Sequence, residues 1–131
     1  MGLASLFARK KKTFPSDREG RMNVIMEVHR RVSGDDVIAK EGALEELLDI
    51  IDGETDPFQM NATVIYHIGY YKPFASGNEE TAKTIADGIL ADKGLRIIDN
   101  QHSIDLFYKG CAGEFSIDSI VEWQLGHYEK I

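Results

Sequence analysis

The stretch from Lys72 to Leu90 constrains the fold more than any other part of the chain. Pro73 fixes its own φ and keeps Lys72 out of the right-handed α region, so a helix arriving from Pro57 must end near Tyr71. Beyond a few loop residues, apolar side chains recur every three or four positions, which predicts a second helix. The sequence therefore predicts two helices joined by a tight loop.

Two adjacent residues, Gly77 and Asn78, mark the start of the second helix. Glycine permits the positive φ that a sharp turn requires. Asparagine is a favourable N-cap, and its side chain is expected to accept from the backbone N–H groups of Glu80 and Thr81. We therefore expect Asn78 to be the cap of this helix.

The loop carries the pattern Pro-Phe-x-x-Gly-Asn-x-x-Thr-Ala over residues 73–82. This pattern resembles the signature loop of the Fic/Doc family, most closely that of the death-on-curing (Doc) toxins. Similar stretches at 42–45, 93–96 and 113–120 extend the resemblance over roughly residues 22–128. The resemblance implies a compact all-α bundle and the transfer of a phosphoryl or nucleotidyl group from a nucleotide to a protein hydroxyl. It also implies an antitoxin partner.

The positions that carry the family's chemistry differ in this chain. Lys72 stands where the family has its catalytic histidine, and Ser76 stands where it has the acidic residue that holds the metal. Two glutamates replace the basic pair that meets the nucleotide phosphates, whereas the residues that shape the loop match the family. The candidate site is this degenerate loop, with positions Lys72, Ser76, Gly77, Asn78, Glu79 and Glu80.

Glu79 and Glu80 place two negative charges at a helix N-terminus, where the family binds phosphates. Two like charges within about 6 Å cost of order 1 kcal/mol at intermediate dielectric. Each lost charge-assisted hydrogen bond costs roughly 1.5–3 kcal/mol more. We therefore expect no nucleotide cofactor and no catalytic or metal-binding residue, with ATP and magnesium bound only if a transferase activity survives.

Three side chains are candidates for the missing base. Lys72 serves as a base only if burial lowers its pKa, and a neighbouring carboxylate would instead hold it charged. His67 lies five residues earlier and need not face the same cleft. His29 lies on the apolar stripe of the first helix, where we expect a half-buried structural histidine.

Apolar stripes of helical period predict about six helices. The helix from Pro57 to Tyr71 is apolar on most sides, as expected for a central helix. Trp123, in the last helix, is expected to pack in the core or to form a dimer face. The predicted helices span residues 21–32, 41–51, 57–71, 78–90, 103–109 and a segment that Ser116 caps.

Charge is distributed unevenly along the chain. Residues 1–31 carry eight basic and three acidic side chains, a net charge of +5, and residues 32–131 carry seven basic and nineteen acidic ones, a net charge of −12. We expect a basic, flexible arm at 1–20 and a Doc-like helical domain at 21–131. The cluster Arg9, Lys10, Lys11 and Lys12 is either a nucleic-acid or acidic-protein contact or a solvated tail.

The remaining chemistry-bearing residues indicate a structural use. Cys111 is the only cysteine, so no internal disulfide forms, and a reducing cytoplasm is expected. We expect the Cys111 thiol to be an inert apolar group. Glu45 and Glu46 diverge around their helix, which predicts a solvated face rather than a metal site. No apolar run is long enough to cross a membrane.

These features favour a catalytically degenerate Doc-like protein, a pseudoenzyme that acts as a protein-binding or regulatory module related to toxin–antitoxin systems. Two alternatives remain open at this point. One is an active transferase with a remodelled site that uses Lys72 or His67. The other is a nucleic-acid binder that uses the basic arm, which predicts salt-dependent binding.

Overall fold

The computed structural model describes residues 13–131, so the basic cluster Arg9–Lys12 lies outside the described residues. Within this part of the chain, six α-helices and one π-helical turn form a bundle with a small two-stranded sheet, which confirms the predicted all-α architecture. The elements are α1 (Arg18–Ser33), α2 (Ala43–Ile51), α3 (Pro57–Val64), the π-helical turn (Ile65–Tyr70), α4 (Asn78–Ala91), β1 (Leu95–Ile97), α5 (Gln101–Cys111), α6 (Ile117–Leu125) and β2 (Tyr128–Lys130).

The helix ends follow local capping chemistry at most positions. Asp56 caps α3 by accepting from the N–H groups of Phe58 and Gln59, with Pro57 as the first helical residue. Ser116 caps α6, as predicted, and accepts from the N–H of Ser119 at 3.1 Å. The sequence therefore sets these two helix starts locally.

The segment formed by α3 and the π-helical turn is the centre of the bundle, as its apolar character predicts. This segment packs against α4, α5 and α6. Helix α1 packs on α4, and helix α2 packs on α3. Burial of the apolar side chains supplies the main stabilising term. The largest fully buried apolar residues include Ile25, Leu47, Leu48, Ile51, Ile68, Phe74, Leu90 and Ile120.

Residues 13–20, which the sequence assigns to the arm, pack on this body. Phe14 is 6% exposed, and the guanidinium of Arg21 lies 5.4 Å from the centre of its ring. The carboxylate of Asp92 accepts from the N–H groups of Thr13 and Phe14 at 2.6 and 2.9 Å. The packed domain therefore includes residues before the expected boundary at residue 20.

The two strands pair antiparallel, with Arg96 opposite Glu129. These two side chains also form an ion pair at 2.6 Å, and Ile131 donates its N–H to the carbonyl of Gly94 at 2.9 Å. The sheet thus holds the last residues of the sequence against the end of α4. Among residues 13–131, no helix is both long and apolar enough to cross a membrane.

Candidate functional site

The Lys72–Gly77 loop pairs with the loop that follows α1. The carbonyl of Pro73 accepts from the N–H groups of Ala39 and Lys40 at 2.7 and 3.0 Å, and Ala75 donates to the carbonyl of Val37 at 3.1 Å. These bonds satisfy backbone groups that would otherwise lose water on folding. The candidate site is therefore a pair of loops, the double loop, that backbone hydrogen bonds hold together.

A stacked pair of rings anchors this loop to α1. The Phe74 ring lies parallel to the imidazole of His29, with centroids 3.6 Å apart, and both side chains are buried. His29 Nε2 lies 2.9 Å from the carbonyl oxygen of Ser76. Because a carbonyl only accepts, Nε2 carries the hydrogen of this bond. His29 is thus more buried than predicted, and it holds the loop in place.

Asn78 does not cap α4, so this prediction was wrong. Gly77 occupies the cap position with φ +72°, and Asn78 is the first helical residue. The Asn78 side chain turns back onto Phe74, accepting from its N–H at 2.9 Å and donating to its carbonyl at 3.0 Å. Both backbone groups of Phe74 are buried, and the need to pair them outweighs the capping preference of Asn78.

Lys72, which the Fic/Doc resemblance aligns with a catalytic histidine, has a left-handed backbone with φ +55°. Among the described residues it is the only non-glycine residue with positive φ, a conformation that costs roughly 1–2 kcal/mol. Its ammonium donates to the carbonyl of Gly69 at 2.8 Å. The lysine is solvent-exposed, and its ammonium is bonded to the end of the preceding helical segment.

The other altered positions lie at the surface. Ser76 and Glu80 are exposed and Glu79 is half-buried in the first turn of α4. Neither glutamate forms an ion pair within residues 13–131. Two unneutralised carboxylates beside the positive end of the helix dipole stabilise α4 and disfavour a bound anion.

We expect Gly77→Ala to lower the free energy of unfolding by about 2–3 kcal/mol. A methyl group at Gly77 would clash with Ser33 Oγ and approach Val32 Cγ1 to 3.1 Å, in addition to the strain of φ +72°. The matched control is Gly94→Ala, because Gly94 has φ +73° but no atom within 4 Å of the added methyl. It should lose about 1 kcal/mol. Urea unfolding of both variants measures the difference, and equal losses would contradict the packing of Gly77 on α1.

His67 lies away from solvent between two tyrosine rings. The ring centroids of Tyr66 and Tyr71 are 5.5 and 5.0 Å from that of His67, both edge-on. Burial lowers the pKa of His67, and the carboxylate of Glu46 partly opposes this shift. The structure therefore surrounds this candidate base with aromatic rings, and Nδ1 has no hydrogen-bond partner among the described residues.

The lowered pKa of His67 predicts a pH-dependent stability. Below pH 6.5, the ordinary pKa of histidine, the unfolded state binds the proton more readily than the folded state does. The contribution of His67 to the free energy of unfolding is therefore complete above pH 6.5 and is lost as the pH falls through the folded-state pKa. His67→Phe keeps a ring and should flatten this acid-side slope. Urea unfolding at pH values from 7 downward measures it, with His102→Phe at an exposed histidine as control. An unchanged slope in His67→Phe would contradict the prediction.

The π-helical turn gathers three tyrosines beside the loop, a feature that the sequence did not predict. The extra backbone residue shows in the hydrogen bond from the N–H of Tyr71 to the carbonyl of Tyr66 at 3.1 Å. The rings of Tyr66, Tyr70 and Tyr71 lie 5.1–5.7 Å apart, and Tyr70 is 40% exposed. We call these three residues the tyrosine cluster.

A lysine lies at the edge of the tyrosine cluster. The ammonium of Lys40 lies 6.0 Å from the centre of the Tyr71 ring and donates to the Tyr71 carbonyl. Burial, together with the neighbouring Tyr71 and Tyr70, raises the pKa of Tyr66, so its hydroxyl stays protonated at neutral pH. The cluster is thus an aromatic surface with Lys40 at its border and the carboxylate of Glu46 nearby.

Cys111 lies beneath this surface, where a methyl group added at Gly69 would approach its Sγ to 2.5 Å. Burial raises the pKa of the thiol to about 12, which agrees with the predicted inert group. Among residues 13–131, no three His, Cys, Asp or Glu side chains converge as a metal site.

Comparison with known proteins adds no relative: no protein-family model matches the chain, and a search of curated proteins gives no match. The Fic/Doc resemblance and the functions it implies therefore remain predictions. The sequence located the braced loop, but it did not reveal that the tyrosine cluster lies next to it.

Proposed function

We propose that this protein is a non-catalytic protein-binding module that uses a Doc-like scaffold, and that it binds its partner through the tyrosine cluster. The exposed ring of Tyr70, supported by Tyr66 and Tyr71, is the observation that carries the proposal. Tyrosine is enriched in the energetic centres of protein interfaces. Single π-helical turns also occur frequently at functional sites.

The loop beside the cluster supports binding rather than catalysis, because its polar groups bond to one another. Asn78 is committed to the backbone of Phe74, and His29 is committed to the carbonyl of Ser76. The ammonium of Lys72 is committed to Gly69. In this arrangement the loop serves as a rigid support for the tyrosine cluster.

A matched pair of tyrosine variants tests the binding surface. Tyr70 is 40% exposed within the cluster, whereas Tyr108, on α5, is 46% exposed and packs its ring on Phe107. We expect the natural protein to capture a partner protein from extracts of its native cell. Tyr70→Ala should bind this partner about tenfold or more weakly, whereas Tyr108→Ala should bind it as tightly as the natural protein does. Equal loss in both variants, or no captured protein, would count against the proposal.

Calorimetric titration with ATP and GTP in magnesium tests the absence of a nucleotide site. We expect no heat of binding from the natural protein, because Glu79 and Glu80 repel phosphate. The comparison protein carries Lys72→His, Ser76→Asp, Glu79→Lys and Glu80→Arg, and we expect it to bind nucleotide. Micromolar binding by the natural protein would contradict the proposal and would make Lys72 the first candidate for a catalytic residue.

A further inference from the structure

A second candidate site lies between the central helix, the later helices and the small sheet. A cavity of about 410 Å³, partly open to solvent, is lined by residues of α3, α4, β1, α5 and α6 and includes no residue of the Lys72–Asn78 loop. Its size falls in the range of small-molecule sites, roughly 300–1,000 Å³. Apolar side chains form much of its wall, among them Leu90, Ile97, Ile104 and Phe107.

Four residues around this cavity hold a buried polar atom without a hydrogen-bond partner among residues 13–131. The atoms are Asn61 Oδ1, Ser103 Oγ, Trp123 Nε1 and Gln124 Oε1. Asn61, Ser103 and Gln124 are each at least nine-tenths buried. Folded proteins pair most buried polar groups, so four unpaired atoms around one cavity indicate a missing partner.

The chemistry of that partner follows from how the two amides are fixed. Asn61 donates its Nδ2 to the carbonyl of Ala86 at 3.0 Å, and Gln124 donates its Nε2 to the carbonyl of Phe58 at 2.8 Å. Because these carbonyls only accept, the amide nitrogens must face them, which leaves both amide oxygens as acceptors. The indole N–H of Trp123 is a donor, and the hydroxyl of Ser103 serves either way.

The charges at the cavity rim favour an uncharged guest. Lys83 pairs with Asp87 at 2.9 Å, and Arg96 pairs with Glu129 at 2.6 Å, so these ions neutralise each other. Asp99 adds an exposed carboxylate to the rim. An anion would be repelled by this carboxylate, and a cation would find in it only a solvent-exposed partner, so a charged guest would lose its water without gaining a buried ionic partner, which is unfavourable.

We propose that this cavity binds a small, uncharged ring compound that carries N–H or O–H donors and one acceptor. The apolar wall takes the ring, the oxygens of Asn61 and Gln124 accept from its donors, and the indole of Trp123 donates to its acceptor. Each of the four atoms exposes less than 1 Å². The guest therefore reaches them only as the side chains that line the cavity shift.

Titrations with matched probes, followed by protein NMR, test this site. Benzamide and phenol carry the required donors, whereas N,N-dimethylbenzamide and anisole retain the ring and an acceptor but lack a donor. We expect each donor-bearing probe to bind about fivefold or more tightly than its partner, as one or two hydrogen bonds provide. Equal binding within both pairs, or no binding because water alone fills the cavity, would overturn the proposal.

Two wall variants and one control locate the bound probe. Ser103→Ala and Trp123→Phe each remove one unpaired polar group at the cavity, and at least one should weaken benzamide binding about threefold or more. Thr81→Val is the control, since Thr81 Oγ1 is also buried and unpaired but does not line the cavity. Unchanged affinity in both wall variants, or equal weakening by Thr81→Val, would overturn the assignment.

Discussion

We expect Phe74→Ala to lower the free energy of unfolding by about 4 kcal/mol, as is usual when a buried aromatic ring is removed from a core. Phe74 is 1% exposed and belongs to the main hydrophobic cluster, although it lies in a loop. Its ring also covers the imidazole of His29 at 3.6 Å, so the variant exposes a buried polar side chain to a cavity. Urea unfolding of the natural protein and the variant measures the loss.

Phe74→Leu is the matched control for this substitution. Leucine keeps most of the volume but cannot stack on His29, so we expect a loss of about 1–2 kcal/mol. Hydrogen exchange adds a local measurement, because the amides of Ala39 and Ala75 bond between the two loops and should exchange faster in Phe74→Ala. A loss below about 1.5 kcal/mol in Phe74→Ala, with unchanged exchange, would show that the ring does not hold the loops together.

The sequence predicted features that depend on neighbours along the chain. About six helices were expected from apolar periodicity, and six α-helices are observed within residues 13–131. Pro57 and Ser116 occupy the expected positions at helix starts, because a cap needs only the next two or three N–H groups. Local chemistry of this kind can be predicted without knowledge of the fold.

The sequence did not predict features that depend on contacts between distant segments. Asn78 and Gly77 are both acceptable caps, and the backbone of Phe74 decides between them only once its loop pairs with the distant segment after α1. β1 and β2 are three residues each and pair across two intervening helices, so no local pattern indicates them. His29 is fully buried because the loop with Phe74 lies over it.

The candidate sites divide along the same line. The loop was found because its residues are consecutive, whereas the tyrosine cluster depends on one extra residue in a helical turn. The segment around Tyr66 and Tyr70 is apolar on most sides, so its periodicity cannot distinguish 3.6 from about 4.4 residues per turn. The cavity depends on Asn61, Ser103 and Gln124, which come together only in the folded bundle.

We expect Asn78→Ala to lower the free energy of unfolding by about 3 kcal/mol, more than the loss of a helix cap. The variant leaves the N–H and carbonyl of Phe74 buried without partners, and each unpaired group costs roughly 1–3 kcal/mol. No other hydrogen bond of the double loop uses these two groups, because its other loop-to-loop bonds run through Pro73 and Ala75. Thermal or urea unfolding measures the loss.

Asn100→Ala is the matched control, since Asn100 caps α5 through one part-buried bond to the N–H of Ser103 at 2.9 Å. Its loss should be about 1 kcal/mol. A loss of unfolding free energy about three times as large in Asn78→Ala as in Asn100→Ala would show that the Asn78 side chain holds the loop in its conformation. Equal losses would instead mean that Asn78 acts as an ordinary helix-start residue, and the rigid support proposed for the tyrosine cluster would lose its main physical basis.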